Sequence, residues 1–191
     1  MVPSLLTGGV VIMNKVEPIR NTEKIEEMKK ILKQKSYRDY LLFVIGINTG
    51  FRISDILNLK VKDVKNKRHI KVKEKKTKKT KKALINDKLK KDIEEYIFNK
   101  NEEEYLFKSR EKQKITRSRA YQIIRNAAEK VDLKNIGTHS LRKTFGYHHY
   151  QRNKDVALLQ NLFNHSSPSV TLDYIGINQD IMDKSVENFY L

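Results

Sequence analysis

The sequence predicts an α+β domain, mostly α-helical, with a small three-stranded antiparallel sheet between its helices. Two observations predict it. Apolar residues recur at helical spacing through roughly the first third of the chain and again from residue 87 onward. Between them, over 61–86, the pattern changes to alternation with β-branched residues, the mark of short strands.

Residues 22–35 place Ile25, Met28, Ile31 and Leu32 on one helical face, with Thr22 as N-cap and acidic residues in the first turn. Residues 37–48 are apolar nearly all round, which predicts a buried helix. Gly50 fits the end of that helix, and a short helix from Ile53 to Leu59 follows it. Three strands are expected at 61–64 (VKDV), 69–74 (HIKVKE) and 81–86 (KKALIN), with a basic hairpin tip, KKTKKTKK. Helices resume at 87–99, 116–131, 138–152 and 155–163, and a last one is expected at 178–188. No internal repeat breaks the chain, so residues 16–191 read as one domain. The apolar, uncharged stretch 1–15 is set apart as a flexible leader. Met13 is read as the native start, with 1–12 carried over from expression.

The charge balance narrows the function. Of 191 residues, 40 are Lys or Arg against 23 Asp or Glu, a formal net charge of +17, which favours a polyanionic partner. No segment pairs a basic face with bulky apolar residues, and no apolar run reaches membrane-spanning length, so a membrane partner is not expected. Cysteine is absent, which excludes a disulfide framework and a thiolate metal site and agrees with a cytoplasmic location.

The chemistry concentrates in 137–174, GTHSLRKTFGYHHYQRNKDVALLQNLFNHSSPSVTLDY. His139 and Arg142 share a helical face near a helix N-terminus, where a phosphate is already favoured. His165 opens a polar loop, and Tyr174 stands nine residues after it, with Thr171 between them. A guanidinium grips two phosphate oxygens at once, imidazoles move protons near neutral pH, and a phenol can form a phosphate ester. The set suits attack on a phosphodiester without metal or cofactor.

HSLRKTF, LFNHSS and TLDY resemble box II of the tyrosine recombinase, or phage integrase, family, in which H-x-x-R is followed by L-x-H and a nucleophilic Tyr. NTGFRISDIL, 48–57, resembles the family's box I, T-G-x-R-x-x-E, with Arg52 as its arginine. The resemblance is to the catalytic domain of Xer-like members and covers roughly residues 20–180. There are two departures: Asn164 stands where Gly usually precedes the second His, and Asp55 where Glu is more usual.

The resemblance implies site-specific cleavage and rejoining of double-stranded DNA through a 3′-phosphotyrosyl intermediate. It implies catalytic roles for Arg52, Lys76, His139, Arg142, His165 and Tyr174, with Asp55 as a buttress. The lysine is expected on the strand hairpin, where K-T before a loose turn selects Lys76 with Thr77; Lys75, Lys78 and Lys79 stand as rivals. Tyr150 and Tyr190 are the nearby alternatives to Tyr174. His148 and His149 read as packing or DNA-facing residues. Lys112, Lys114, Arg117, Arg119 and Arg125 flank one helix and fit either a DNA contact or a solvated face. Also implied are a monomer when free and a homo-tetramer on synapsed DNA, with the tail helix of Ile181, Met182, Val186 and Phe189 docking on a neighbour or on its own domain. The family's separate N-terminal DNA-clamping domain is not expected within these residues, so they read either as a catalytic fragment or as a naturally minimal protein. A type IB topoisomerase and a DNA-binding regulator with a decayed site remain the other readings.

Overall fold

The computed structural model describes residues 16–73, 80–177, 183–184 and 186–190. In chain order these form α1 (Thr22–Lys35), α2 (Tyr37–Thr49), α3 (Ile53–Ile56), β1 (His69–Lys73), β2 (Thr80–Leu84), α4 (Asp87–Ile97), α5 (Arg117–Glu129), α6 (Thr138–Asn153), α7 (Val156–Phe163) and α8 (Pro168–Ile175).

Helix α2 is the central rod. Leu41, Leu42, Phe43 and Ile45 are fully buried, as its uniform hydrophobicity predicts, and α1, α4 and α6 pack around it. Helix α1 buries Ile25, Met28 and Leu32. Its cap is Asn21 and not Thr22: the Asn21 side-chain oxygen accepts from the backbone N–H of Glu23 at 2.7 Å and of Lys24 at 3.3 Å. Helix α4 lays Leu89, Ile93 and Ile97 on the core at four-residue spacing.

The sheet has two strands among the described residues, not three. β1 and β2 pair antiparallel, with Ile70 opposite Ala83 and Val72 opposite Lys81. The expected first strand, 61–64, is a 3-10 turn over Val61–Asp63. Val61 and Val64 lie three residues apart, which eclipses them on one side of a 3-10 turn, and both are buried. The Asp63 carboxylate accepts from the Lys60 N–H at 2.8 Å and closes the turn. The V-x-x-V spacing therefore reports a turn, where two β-branched residues suggested a strand.

A smaller core lies beyond α6. Leu159, Phe163, Ile175 and Ile177 are buried together, with Phe145, Tyr147, Tyr150, Leu172 and Tyr174 packed against them. Helix α8 was not expected from the sequence. Ser167 caps it by accepting from Val170 N–H, and Pro168 occupies its first turn. The expected helix at 178–188 lies partly outside the described residues; 183–184 and 186–187 are helical. No helix among the described residues is long and apolar enough to cross a membrane.

The segment before α1 straps the two cores together. Ile19 N–H donates to the Thr144 hydroxyl at 2.8 Å, Ile19 C=O meets His148 Nε2 at 2.9 Å, and Arg20 donates to the Gly176 carbonyl at 3.2 Å. His148 thus has a structural partner, and the half-buried His149 packs on Phe145 with ring centroids 5.6 Å apart.

Candidate active site

The site begins at the end of α2. Gly50 closes that helix in the left-handed region, φ 63° and ψ 14°, where a side chain is strained. A Cβ there would also lie 2.5 Å from the Phe145 ring of α6. The turn releases Arg52 into solvent as the N-cap of α3 and directs the Gly50 carbonyl inward.

Arg142 takes that carbonyl. It is 4 % exposed, donates from Nη1 to Gly50 O at 2.7 Å and from Nη2 to Phe163 O at 2.9 Å, and its guanidinium lies 4.1 Å from the Phe163 ring centroid. One cation thereby joins the ends of α2 and α7 to α6. Gly146, one turn on, allows the close approach of α6 to the smaller core, since a Cβ there would meet Ile175 and Phe163 below 3 Å.

Helix α7 ends at Asn164 in the left-handed conformation, φ 56°. Asn tolerates that region better than other residues with a side chain, so the departure from Gly leaves the loop backbone in place. His165 follows. Its Nδ1 lies 3.2 Å from the Thr171 hydroxyl, and that hydroxyl donates to Ser167 C=O at 3.1 Å. With the hydroxyl proton so used, a neutral His165 carries its proton on Nδ1 and presents Nε2 as a lone pair. Burial, together with the charges of Arg142, Lys81 and Arg52, holds His165 down at about 4.

Tyr174 is the penultimate residue of α8, and Gly176, at φ 73°, turns the chain away behind it. Its ring stands edge-on to His165, centroids 5.1 Å apart, and to Phe163 at 5.7 Å. Burial pushes the phenol above its ordinary value; the charges of Arg142 and Arg52 and a hydrogen bond from Arg142 pull it part of the way back. His139, exposed in the first turn of α6, is held below its ordinary value by partial dehydration and then by Arg142, Lys143 and Arg52. Arg52, His139, Arg142, His165 and Tyr174 therefore share one electrostatic neighbourhood although they come from four parts of the chain. Asp55 stands in the first turn of α3, its N–H bonded to Arg52 C=O at 2.9 Å.

Lys76, chosen from the sequence, and its rivals Lys75, Lys78 and Lys79 lie outside the described residues. The hairpin lysine seen near the site is Lys81. It lies opposite Val72, on the inward side of the sheet, and its Nζ donates to Leu162 C=O at 3.1 Å. A second residue the sequence reading passed over is Lys143, next to Arg142 and 4 % exposed, whose Nζ lies 5.4 Å from the Tyr174 ring centroid. On α5, Arg117, Arg119 and Arg125 are exposed, and Arg125 pairs with Glu129 at 2.8 Å. Among the described residues no group of three or more His, Asp or Glu could hold a metal ion.

The phage integrase family model matches residues 20–180. The chain belongs to the phage integrase family. The probable integrase/recombinase YoeC of Bacillus subtilis (strain 168) is 57 % identical over 169 residues, covering 88 % of this chain and 93 % of that protein. A tyrosine recombinase of Pseudothermotoga lettingae is 33 % identical over 178 residues, covering 86 % of this chain and 62 % of its own length. Among solved structures, the XerH site-specific recombinase bound to its palindromic difH substrate superposes with a TM-score of 0.70 at 23 % identity, covering 92 % of this chain and 54 % of that one. The catalytic domain of bacteriophage HP1 integrase gives 0.65 at 20 % identity, covering 91 % and 95 %. The integrase fold is thus shared with these structures, and this integrase chain spans about half to two thirds of several longer relatives.

Proposed function

We propose that this integrase domain cleaves and rejoins double-stranded DNA at a specific site through a 3′-phosphotyrosyl intermediate on Tyr174. The observation that carries the reading is the convergence of Arg142, His165 and Tyr174, from α6, the α7–α8 loop and α8, around one solvent-reaching point beside Arg52. Membership of the integrase family supports the same reaction.

The Tyr174 oxygen attacks the scissile phosphorus. A new O–P bond forms, the bond from phosphorus to the 5′ oxygen breaks, and the 5′ strand leaves as a hydroxyl. His139, held below its ordinary value and so neutral near pH 7, takes the phenol proton. Lys76 supplies a proton to the leaving oxygen. Arg52 and Arg142 stabilise the charge on the five-coordinate phosphate; Arg142 does so from a fixed position, being already bonded to two carbonyls. His165 is the donor to a non-bridging oxygen. Its Nε2 lacks a proton in the free protein, so the phosphate's own negative charge must first raise its proton affinity. A second 5′ hydroxyl reverses the sequence, and the phosphate bond energy is kept in the ester.

The chain acts as a monomer when free and as a homo-tetramer on synapsed DNA. The solved complexes of XerH and of the Tn1549 transposon integrase with DNA support a duplex partner. The test is incubation with nicked suicide duplexes carrying candidate sites, followed by denaturing gels. A covalent protein–DNA adduct is expected. DNA binding without an adduct on any cleavable site would favour a regulator with a decayed site, and relaxation of supercoiled DNA by a monomer would favour a topoisomerase.

A further inference from the structure

Lys143 is a buried cation that none of the reaction steps above employs. Lysine is almost never fully buried unless something holds its charge, and Lys143 is 4 % exposed in α6. Its ammonium lies over the Tyr174 ring, 5.4 Å from the centroid, within cation–π reach. The ring has Phe163 and His165 edge-on to it at 5.7 and 5.1 Å. Arg142 meets the phenol oxygen. Lys143 therefore touches the nucleophile's π system while its neighbour touches the reacting atom.

We propose that Lys143 is a positioning residue for both halves of the strand exchange: its ammonium holds the Tyr174 ring in the site and favours the phenolate over the phenol and over the phosphotyrosyl ester. The proposal rests on the reading of Tyr174 as nucleophile. The attraction of a cation to an aromatic ring grows with the ring's electron density. A phenolate ring is richer than a phenol, and an aryl phosphate ring is poorer. The contact is thus strongest as the proton leaves Tyr174 for His139, and again as the O–P bond breaks and the electron pair returns to the phenolic oxygen. It is weakest in the covalent intermediate. An interaction that strengthens on the way to both transition states accelerates the chemistry instead of only tightening the ground state.

Other charges around Tyr174 set the background. Arg142 comes from α6, Arg52 from the turn before α3, and Asp173 from α8 itself; His139, also on α6, is coupled to Arg142, Lys143 and Arg52. His165 approaches from the α7–α8 loop. Arg20 and Glu17 stand at the Gly176 end, and α7 carries no charged residue. On the remainder of α6, Tyr147 and Tyr150 pack into the smaller core, His148 bonds to Ile19, His149 packs on Phe145, and Arg152 lies in the last turn.

The test reads Tyr174 directly. Ultraviolet pH titration of the full chain, with the Tyr174→Phe titration subtracted, gives the ionisation of that one phenol. Repeating the subtraction in Lys143→Gln and Lys143→Arg backgrounds isolates the contribution of the cation. Lys143→Gln is expected to move Tyr174 ionisation upward, corresponding to roughly 2- to 30-fold less phenolate at a given pH. Lys143→Arg is expected to stay close to the parent chain. Adduct formation on a suicide duplex should fall by a similar factor near neutral pH in Lys143→Gln and recover as the pH is raised. An unmoved titration, a loss equal at all pH values, or Lys143→Arg failing as badly as Lys143→Gln overturns the proposal. Loss of the nucleophile reading itself has a different signature: Tyr174→Phe would still form adduct, whatever the titrations show.

Discussion

Arg142 donates to the carbonyl oxygen of Gly50 at 2.7 Å across 92 positions of sequence. That bond ties the left-handed turn that presents Arg52 to the helix that carries His139. Gly50 is needed there twice, for its backbone conformation and for the space that Phe145 fills. Gly50→Ala is therefore expected to destabilise the domain by about 1–2 kcal/mol from the left-handed conformation, with roughly 1–3 kcal/mol more from overpacking. Urea unfolding checks this, and a midpoint equal to that of the parent chain would contradict it.

The histidines set an acid limit on stability. His139, His149 and His165 are all held below their ordinary values, chiefly by loss of water. An unfolded histidine titrates near ~6.5, whereas folded His165 titrates at about 4. Between those values the unfolded chain binds protons that the folded chain refuses. The contribution of His165 to stability is thus complete above about pH 6.5 and is lost as the pH falls toward 4, and His139 and His149 act in the same direction. Urea midpoints measured across that window should drop on acidification, and His165→Gln should flatten the drop. A midpoint that holds steady or rises would count against the assigned environments.

DNA affinity should fall steeply with salt. The net charge of +17 and the exposed arginines of α5 imply several neutralised phosphates, each adding a slope of about −0.9 to log K against log salt. Replacing Arg117 and Arg119 together by Gln should reduce the slope by about 2 if both meet phosphates. Fluorescence anisotropy over a salt series measures it, and an unchanged slope would assign that face to solvent.

The tail exposes apolar surface. Val186 is 61 % and Phe189 68 % exposed. A short helix with few apolar residues is marginal on its own, and the expected support of the tail is a neighbouring protomer on DNA or its own domain. Removing residues 178–191 should impair synapsis and strand exchange more than DNA binding. Sedimentation on target DNA together with a recombination assay separates the two. A truncated chain that assembles and recombines normally would reduce the tail to a local cover.

Much of this arrangement is readable in the residues, and the exceptions have physical causes. A run apolar nearly all round, closed by a terminal Gly, reveals α2 and its turn, and H-x-x-R marks the residues of α6 that belong to the site, although the structure buries Arg142 along with Leu141 and leaves His139 exposed. The helix carrying Tyr174 is hard to read because its first half, Pro168-Ser169-Val170-Thr171, is made of residues of low helix propensity; Ser167 and Pro168, a cap and a first-turn proline, are the available clue. The false strand at 61–64 came from reading β-branched content without its three-residue spacing. Lys143 and Lys81 escaped because which lysine reaches the site depends on distant partners, here α8 and the end of α7, which local pattern does not encode.

If Tyr174 is the nucleophile, the covalently bound DNA sits on its peptide. The parent chain and Tyr174→Phe are each incubated with a suicide duplex, the products are resolved on a denaturing gel, and the adduct peptide is mapped by mass spectrometry. The expected result is an adduct on the peptide containing Tyr174 in the parent chain and none in Tyr174→Phe, with duplex binding nearly equal in both. An adduct of undiminished yield in Tyr174→Phe, mapped to Tyr190 or elsewhere, would contradict the account.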